Sequence, residues 1–368
     1  MARIAFVLDV VYPWVKGGVE ITFRLLMSEM AKENEVYCFC LQFEGMEKEF
    51  VRDGVHYITV AKASSAELYA KDGTRSIGLA RRFAMALPKA IEPYRFDIVY
   101  TSSFPYMHLG VLKSYHKKHR CKLIFDVSEV WDAKYWKDYL GLVKGSAAYH
   151  YAKKALIGAD AYVATSSTAS AALVKIGVPN ERIIVFTPVI DPRIFKPASR
   201  PKRQSTVIYS GRLIREKRLD LWIDAVVKAH GLNPAINGLI VGSGPEETAI
   251  KKMINRYPFI KMRKPYSSKT QLYNALGKSM AMLNMSEREG LSVITIESAA
   301  LGTAPVLPSY TPIPDEVKEL SIVKDVEDIP KTIAEIASGR IKYKVAMEKL
   351  ERFDVKRVNY AFESMLEH

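Results

Sequence analysis

Three cysteines in 368 residues are too few, and odd in number, for a disulfide framework. Cys38 and Cys40 alternate along an apolar run and so share one face of a strand, while Cys121 stands alone before another. Neither spacing fits a zinc site, which leaves reduced core thiols in a cytosolic protein as the reading. Long apolar runs are missing too, and no stretch approaches the length needed to cross a bilayer. The opening run from Met1 to Leu8 is short and ends in Asp9, which marks a strand and not a secretion signal. The sequence also shows no internal repeat, low-complexity segment or metal-ligand spacing.

Acids are scarce relative to bases. Lys and Arg number 54 against 40 Asp and Glu, a net charge of +14. Residues 1–190 carry 25 basic against 19 acidic side chains, or +6, and the remaining 178 carry 29 against 21, or +8. With the excess spread over both halves and no basic tail or RNA-binding signature, nucleic acid is not the expected partner. The charge speaks for a general attraction to anions, either nucleoside diphosphates or anionic membrane surfaces. At 48% hydrophobic and 26% charged residues, the chain reads as soluble and long enough for two domains, each with its own core.

Strand-like runs alternate with helical patterns. Expected strands are Arg3–Leu8, Glu35–Leu41, Val55–Val60, Asp97–Tyr100, Lys122–Asp126, Ala161–Thr165 and Ile183–Phe186, with an amphipathic helix over Glu20–Lys32. Several are nearly continuous in apolar residues, as strands covered on both faces should be. A second series runs through Thr206–Ser210, Gly238–Val241, Ala281–Met285 and Thr303–Pro308, and the final segment, Tyr343–Leu366, reads as helix. Such alternation predicts an α/β protein with two doubly wound, Rossmann-like parallel-sheet domains. The division is 1–190, a Pro- and Arg-rich linker at 191–204, a second domain at 205–342, and a terminal segment at 343–368.

The segment Glu289-Gly-Leu-Ser-Val-Ile-Thr-Ile-Glu297 carries the most chemistry. A helix starting near Ser292 would aim its free N–H groups and positive dipole end at whatever lies before Gly290, Leu291 and Ser292. That is a place for a phosphate. Glu289 stays in the loop while Glu297 lies about 7 Å along the helix axis from Ser292, so the two acids address opposite sides of a bound diphosphate. A nucleotide-sugar, with hydroxyls at both ends of its pyrophosphate, suits that arrangement. On spacing alone, an acid complementing the helix dipole beside an ordinary loop acid is the alternative reading.

Other segments give this one context. They are Tyr12-Pro-Trp-Val-Lys-Gly17-Gly18-Val-Glu20, Ser210-Gly211-Arg212-Leu-Ile-Arg-Glu216-Lys217, Gly242-Ser-Gly244-Pro245, Ser286 to Gly302, and Ile190 to Pro197. In order and spacing the chain resembles the retaining glycosyltransferases of the GT-B fold, specifically glycosyltransferase family 4, over essentially its whole length. The resemblance implies two Rossmann-like domains facing a cleft, with the acceptor on the N-terminal domain and the donor on the C-terminal one. It also implies a terminal helix crossing back to the first domain. The activity implied is metal-independent hexosyl transfer from a nucleotide-sugar to a glycan or lipid-linked acceptor, with no cofactor, in the cytoplasm and in peripheral contact with the membrane.

Arg212 and Lys217 stand at the carboxyl edge of a strand, where cations would meet the charge on a leaving diphosphate. Arg215 and Arg218 read as the solvated face of that cluster. Gly17 and Gly18 admit close backbone approach to a diphosphate, or simply make a tight turn. Gly242 and Gly244 read as packing glycines, because the third glycine of a dinucleotide fingerprint is missing. By resemblance Glu297 binds the ribose hydroxyls, Glu289 orients the transferred sugar, and Gly211 with the Gly290–Ser292 amides completes the donor site, where Tyr266 is a candidate base-stacking residue.

On the acceptor side, Asp126-Val-Ser-Glu129-Val-Trp131-Asp132 resembles a segment that some family members carry after a strand. It offers Glu129 and then Asp126 as the acid nearest the reacting sugar, with His108 and Trp131 as acceptor contacts. For Trp131, Tyr135, Trp136 and Tyr139, packing is the alternative to sugar stacking or membrane anchoring. The chain departs from the family pattern by delaying a proline to Pro305 and placing Thr311-Pro-Ile-Pro314 where a glycine pair is usual.

Overall fold

The computed structural model describes residues 1–15, 17–69, 74–186, 190, 203–287 and 289–357. The chain divides into two compact units. One is formed by the chain up to Val189 together with the segment from Phe353 onward, and the other runs from Ile190 to Arg352. The expected linker at 191–204 lies outside the described residues except for Arg203 and Gln204.

In the first unit the strands are β1 (Arg3–Val7), β2 (Glu35–Gln42), β3 (Glu49–Arg52), β4 (Val55–Lys62), β5 (Ile98–Ser102), β6 (Lys122–Val127), β7 (Ala161–Ala164) and β8 (Ile183–Val185). Between them run α1 (Gly18–Met30), α2 (Ile77–Ile91), α3 (Met107–His119), α4 (Ala133–Leu140), α5 (Leu142–Leu156) and α6 (Ser167–Ile176). The sheet order is β3-β4-β2-β1-β5-β6-β7-β8, parallel except for the β3–β4 pair. Its middle strands are largely apolar, and Phe6, Val36, Phe39, Val99, Leu123 and Val163 are fully enclosed, as helices on both faces require. Cys38, Cys40 and Cys121 are buried free thiols in this core. Polar caps start several helices: Ser76 accepts from Leu79 N, Asp132 from Tyr135 N and Ser166 from Ala169 N.

The second unit holds β9 (Gln204–Arg212), β10 (Asn237–Ser243), β11 (Ile260–Arg263), β12 (Ser279–Leu283), β13 (Ala304–Pro308) and β14 (Ile322–Lys324). Its helices are α7 (Leu219–Leu232), α8 (Glu247–Ile254), α9 (Lys269–Lys278), α10 (Val293–Ala300), α11 (Asp315–Lys318), α12 (Ile329–Ala337) and α13 (Met347–Glu351). All neighbours are parallel, in the order β11-β10-β9-β12-β13-β14. Trp222, Ile236, Leu283 and Val306 are among the core residues beside this sheet.

In each sheet the strand order reverses once, between β1 and β5 in the first and between β9 and β12 in the second. Loops leaving the carboxyl ends of these strand pairs diverge to opposite faces, and the crevice they leave is where open α/β sheets bind ligands.

The terminal segment differs from the single helix expected over 343–366. Residues 342–346 are non-helical, α13 covers only Met347–Glu351, and a short 3₁₀ turn follows at Val355–Arg357. The Tyr343 hydroxyl donates to Leu320 O at 2.6 Å, and Asp354 Oδ1 accepts from Lys356 N at 2.9 Å. The first bond holds the chain extended against the second unit, and the second is a local turn bond that competes with helix. Val355 packs into the core of the first unit. Residues 358–366 of the expected helix lie outside the described residues. The edge strands β3, β11 and β14 were not foreseen: each is short and bounded or interrupted by charged residues, as in Glu49-Phe-Val-Arg52 and Ile260-Lys-Met-Arg263, so no apolar run marks it.

Candidate functional site

The strongest site candidate sits at the strand-order reversal of the second unit. β9 ends in Gly211 and Arg212, which pair with Gly242 and Ser243 of β10. A Cβ on Gly242 would come within 2.2 Å of Gly211 O, so the Gly-Ser-Gly-Pro loop serves close packing of this corner. A 3₁₀ turn over Arg215–Lys217 follows, and Arg218, at φ 45°, opens α7.

From the other side of the reversal, the loop after β12 meets this turn at three points. Glu287 N donates to Glu216 O at 3.0 Å. Lys217 Nζ donates to Glu289 Oε1 at 2.7 Å, and Arg218 Nη1 donates to Glu287 Oε1 at 2.5 Å. The basic and acidic motifs, some 70 residues apart in sequence, are therefore one locus. Arg218 is not the solvated face expected of it: its guanidinium also grips Asp220 and thereby braces the loop. Arg215 is exposed.

The two acids of the locus are held alike. Glu289 Oε1 takes Lys217 Nζ and Asn284 Nδ2, at 2.7 and 2.8 Å, with Ser286 Oγ also 2.8 Å away. Glu297, on α10 and 1% exposed, takes Lys269 Nζ and, at 3.0 Å, the Tyr273 hydroxyl, both on Oε1. Among the described residues, neither Oε2 has a hydrogen-bond partner, and the exposed Arg212 guanidinium has none either. Arg212 and Glu289 both act on the Tyr209 phenol. Burial and then the Glu289 charge push the Tyr209 phenol upward, while Arg212 opposes them.

Between the acids, Ser292 adopts φ 58° and ψ 64° before α10 begins. This is a left-handed conformation that non-glycine residues take only when held. Its hydroxyl contacts Asn284 Nδ2 at 3.1 Å and Thr295 Oγ1 at 2.7 Å and does not cap the helix. Thr295 N donates to Ser292 O at 2.9 Å, so it is the Val293 and Ile294 amides of α10 that keep their capacity for an anion. Gly290 and Leu291 complete the approach to this helix end. Tyr266 is half-buried with the Arg263 guanidinium 3.7 Å from its ring centre, so one face of the candidate stacking residue already carries a cation.

In the first unit the reversal lies between β1 and β5. Gly17 precedes α1, and a Cβ there would come within 2.2 Å of Glu20 Oε2. The Glu20 side chain folds back over the Gly17 backbone, and burial raises its pKa. The Gly17 backbone, expected with Gly18 to approach a ligand closely, therefore faces the chain's own carboxylate. Asp9, just after β1, pairs with Arg75 in a largely buried ion pair. Sequence reasoning missed Asp9, Arg75, Asn284 and Lys269 as participants, since no motif marks them.

His108 lies inside the first unit at 1% exposure, and its Nε2 is 2.9 Å from both Ser102 O and Thr101 Oγ1. Burial lowers its pKa to about 4. It props the end of β5 as a neutral ring and does not reach out to an acceptor. Asp126 is buried under the Tyr100 hydroxyl, which donates to it at 2.6 Å, and burial raises its pKa to about 7. Glu129, half-buried in the loop after β6, accepts from Trp131 Nε1 at 2.8 Å. Trp131 packs on Phe104, Tyr135, Trp136 and Tyr139 with ring centres 4.6–5.5 Å apart.

Asp126 gives a pH prediction. Its folded pKa of about 7 exceeds the ordinary 3.8, so the folded protein keeps a proton that the unfolded chain releases. The stability this provides is complete below about pH 4 and is lost as pH rises towards 7. Asp126→Asn should remove that fall, worth up to about 4 kcal/mol, when melting temperatures are compared between pH 4 and 7. Parallel curves for the two proteins would rule it out.

The fold is that of the GT-B glycosyltransferases. Solved structures aligning over the whole chain include Anabaena Alr3699/HepE in complex with UDP and glucose, at TM-score 0.72 and 13% identity, covering 100% of both chains. Sucrose-phosphate synthase from Thermosynechococcus elongatus aligns at TM-score 0.74 and 16% identity, covering 100% of this chain and 98% of that one. The lipopolysaccharide outer core galactosyltransferase WaaB aligns at 0.65 and 18%, covering 99% of both. Residues 16–194 match Glycosyltransferase Family 4, and residues 191–352 match Glycosyl transferases group 1. The chain belongs to this family 4/group 1 glycosyltransferase family, whose chemistry is sugar transfer. No curated protein sequence matches it.

Proposed function

We propose that the protein is a retaining, metal-independent glycosyltransferase. It moves a hexose-like sugar from a nucleoside diphosphate to a hydroxyl of a glycan or lipid-linked glycan. The observation that carries this reading is the pair Glu289 and Glu297 at the strand-order reversal of the second unit. Each has one oxygen fixed by a cation and the other, among the described residues, without a partner, on either side of a helix start that no side chain caps. Two open carboxylate oxygens suit hydroxyls of ribose and sugar, and the helix amides between them suit the diphosphate.

In the reaction, the bond between sugar C1 and the phosphate oxygen breaks while the acceptor oxygen bonds to C1 on the same face. The acceptor's proton passes to the departing phosphate oxygen. Arg212, Lys217 and the α10 amides stabilise the charge on that oxygen. Glu129 is the acid assigned to the reacting sugar ahead of Asp126, which is buried under the Tyr100 hydroxyl. A UDP-sugar donor is favoured by the ligands in the Anabaena structure, and a lipid-linked acceptor at the cytoplasmic membrane face by the lipopolysaccharide enzyme and the +14 charge. No helix among the described residues is long and apolar enough to cross a membrane.

Nucleoside diphosphate release, measured with and without acceptor extracts and with a chelator, tests the proposal. Release that requires acceptor and survives chelation is expected. Turnover without acceptor points instead to an epimerase of the same fold, and no turnover with intact binding points to a non-catalytic paralogue.

A further inference from the structure

Asn284, at the end of β12, is 3% exposed among apolar neighbours that include Leu283 and Met285. A buried amide is unfavourable unless its hydrogen-bonding groups are engaged. Here Nδ2 donates to Glu289 Oε1 at 2.8 Å and to Ser292 Oγ at 3.1 Å. Oδ1 accepts from Ser286 N at 3.1 Å and lies 2.5 Å from Ser286 Oγ. The orientation is thereby fixed: turning the amide over would set its oxygen against the Glu289 carboxylate and its NH₂ against the Ser286 N–H. The surrounding backbone is braced from the other side. The Tyr310 hydroxyl donates to Met285 O and the Thr311 hydroxyl to Ser286 O, both at 2.7 Å.

From this network we infer that Asn284 is a positioning residue for sugar recognition, a role that rests on the donor-site reading above. By holding Oε1 of Glu289, it leaves Oε2 as the oxygen presented to a sugar hydroxyl. It also draws the Ser292 hydroxyl inward, which keeps that hydroxyl off the α10 amides. One neutral side chain thus sets both the sugar-facing acid and the phosphate-facing helix end. No cation could do this without neutralising Glu289 further, and an apolar residue would release both.

The test compares the affinities of UDP, GDP and TDP with those of their glucose and mannose forms, for wild type, Asn284→Leu and Asn284→Asp. Wild type should bind one sugar form more tightly than its bare diphosphate. Asn284→Leu should lose about ten-fold of that advantage at every pH, while bare-diphosphate affinity changes less. Asn284→Asp sets a second carboxylate against Glu289, so it should show the same loss at neutral pH. It should recover as the pair takes up a proton on acidification, because a protonated Asp can donate the bond the amide made. A purely structural role would give no such recovery. Ser286→Ala, which removes a polar contact from the same network, should give a smaller loss and serves if the Asn284 variants do not fold. Binding of no nucleotide by wild type overturns the donor-site reading and this inference with it. A preserved sugar preference in the variants, beside normal wild-type binding, overturns this inference alone.

Discussion

Replacing Glu297 with alanine should lower kcat/KM for the sugar donor by about a hundred-fold or more, because two charge-assisted hydrogen bonds to a diol are lost together. The fold should survive. Glu297 is 1% exposed, but its cation partner Lys269 is 26% exposed in its side chain and can turn to water when the acid is gone. A drop in melting temperature of a few degrees is therefore expected, well short of unfolding. Glu297→Gln separates the two effects, since it keeps the shape and the Tyr273 contact while losing the charge. Near-normal kcat/KM in a folded Glu297→Ala protein would remove this residue from the donor site.

Arg212→Ala should act on a different step. Its guanidinium is exposed and without a partner among the described residues, so stability should not change. Charge builds on the leaving diphosphate as the glycosidic bond breaks, and losing one preorganised cation there costs about a hundred-fold to a thousand-fold in kcat. The effect on donor KM should be smaller, because the ground-state diphosphate keeps Lys217 and the α10 amides. Lys217→Ala would be less clean, since it also frees Glu289 from its ion pair. A rise in KM with kcat intact would mean that Arg212 serves binding alone.

Much of the candidate site in the second unit was legible in the residues. Glu289, Glu297 and the small residues between them announce a loop opening a helix, and the α10 start falls one residue from where the pattern places it. Arg212 and Lys217 follow from the strand before them, because a buried parallel strand is an easily read apolar run. The polar shell was not legible. Asn284 turns onto Glu289 within the loop after β12, whereas Lys269 and Tyr273 reach Glu297 from α9, where only the folded unit brings them. The first unit was read less well for a related reason. His108 and Asp126 look like site residues in a sequence, yet burial turns both inward, and the carboxylate of Glu20 covers the turn that Gly17 and Gly18 were expected to offer. Nothing in a one-dimensional pattern separates a polar side chain at a strand end that faces out from one that faces in.

A single calorimetric series bears most directly on the donor site: the preferred nucleotide-sugar titrated into wild type, Glu297→Ala and Arg212→Ala at matched folding. Saturable wild-type binding that weakens by about ten-fold or more in Glu297→Ala, with a smaller loss in Arg212→Ala, is the predicted result. Equal affinity in all three proteins, or no binding by wild type, would contradict it.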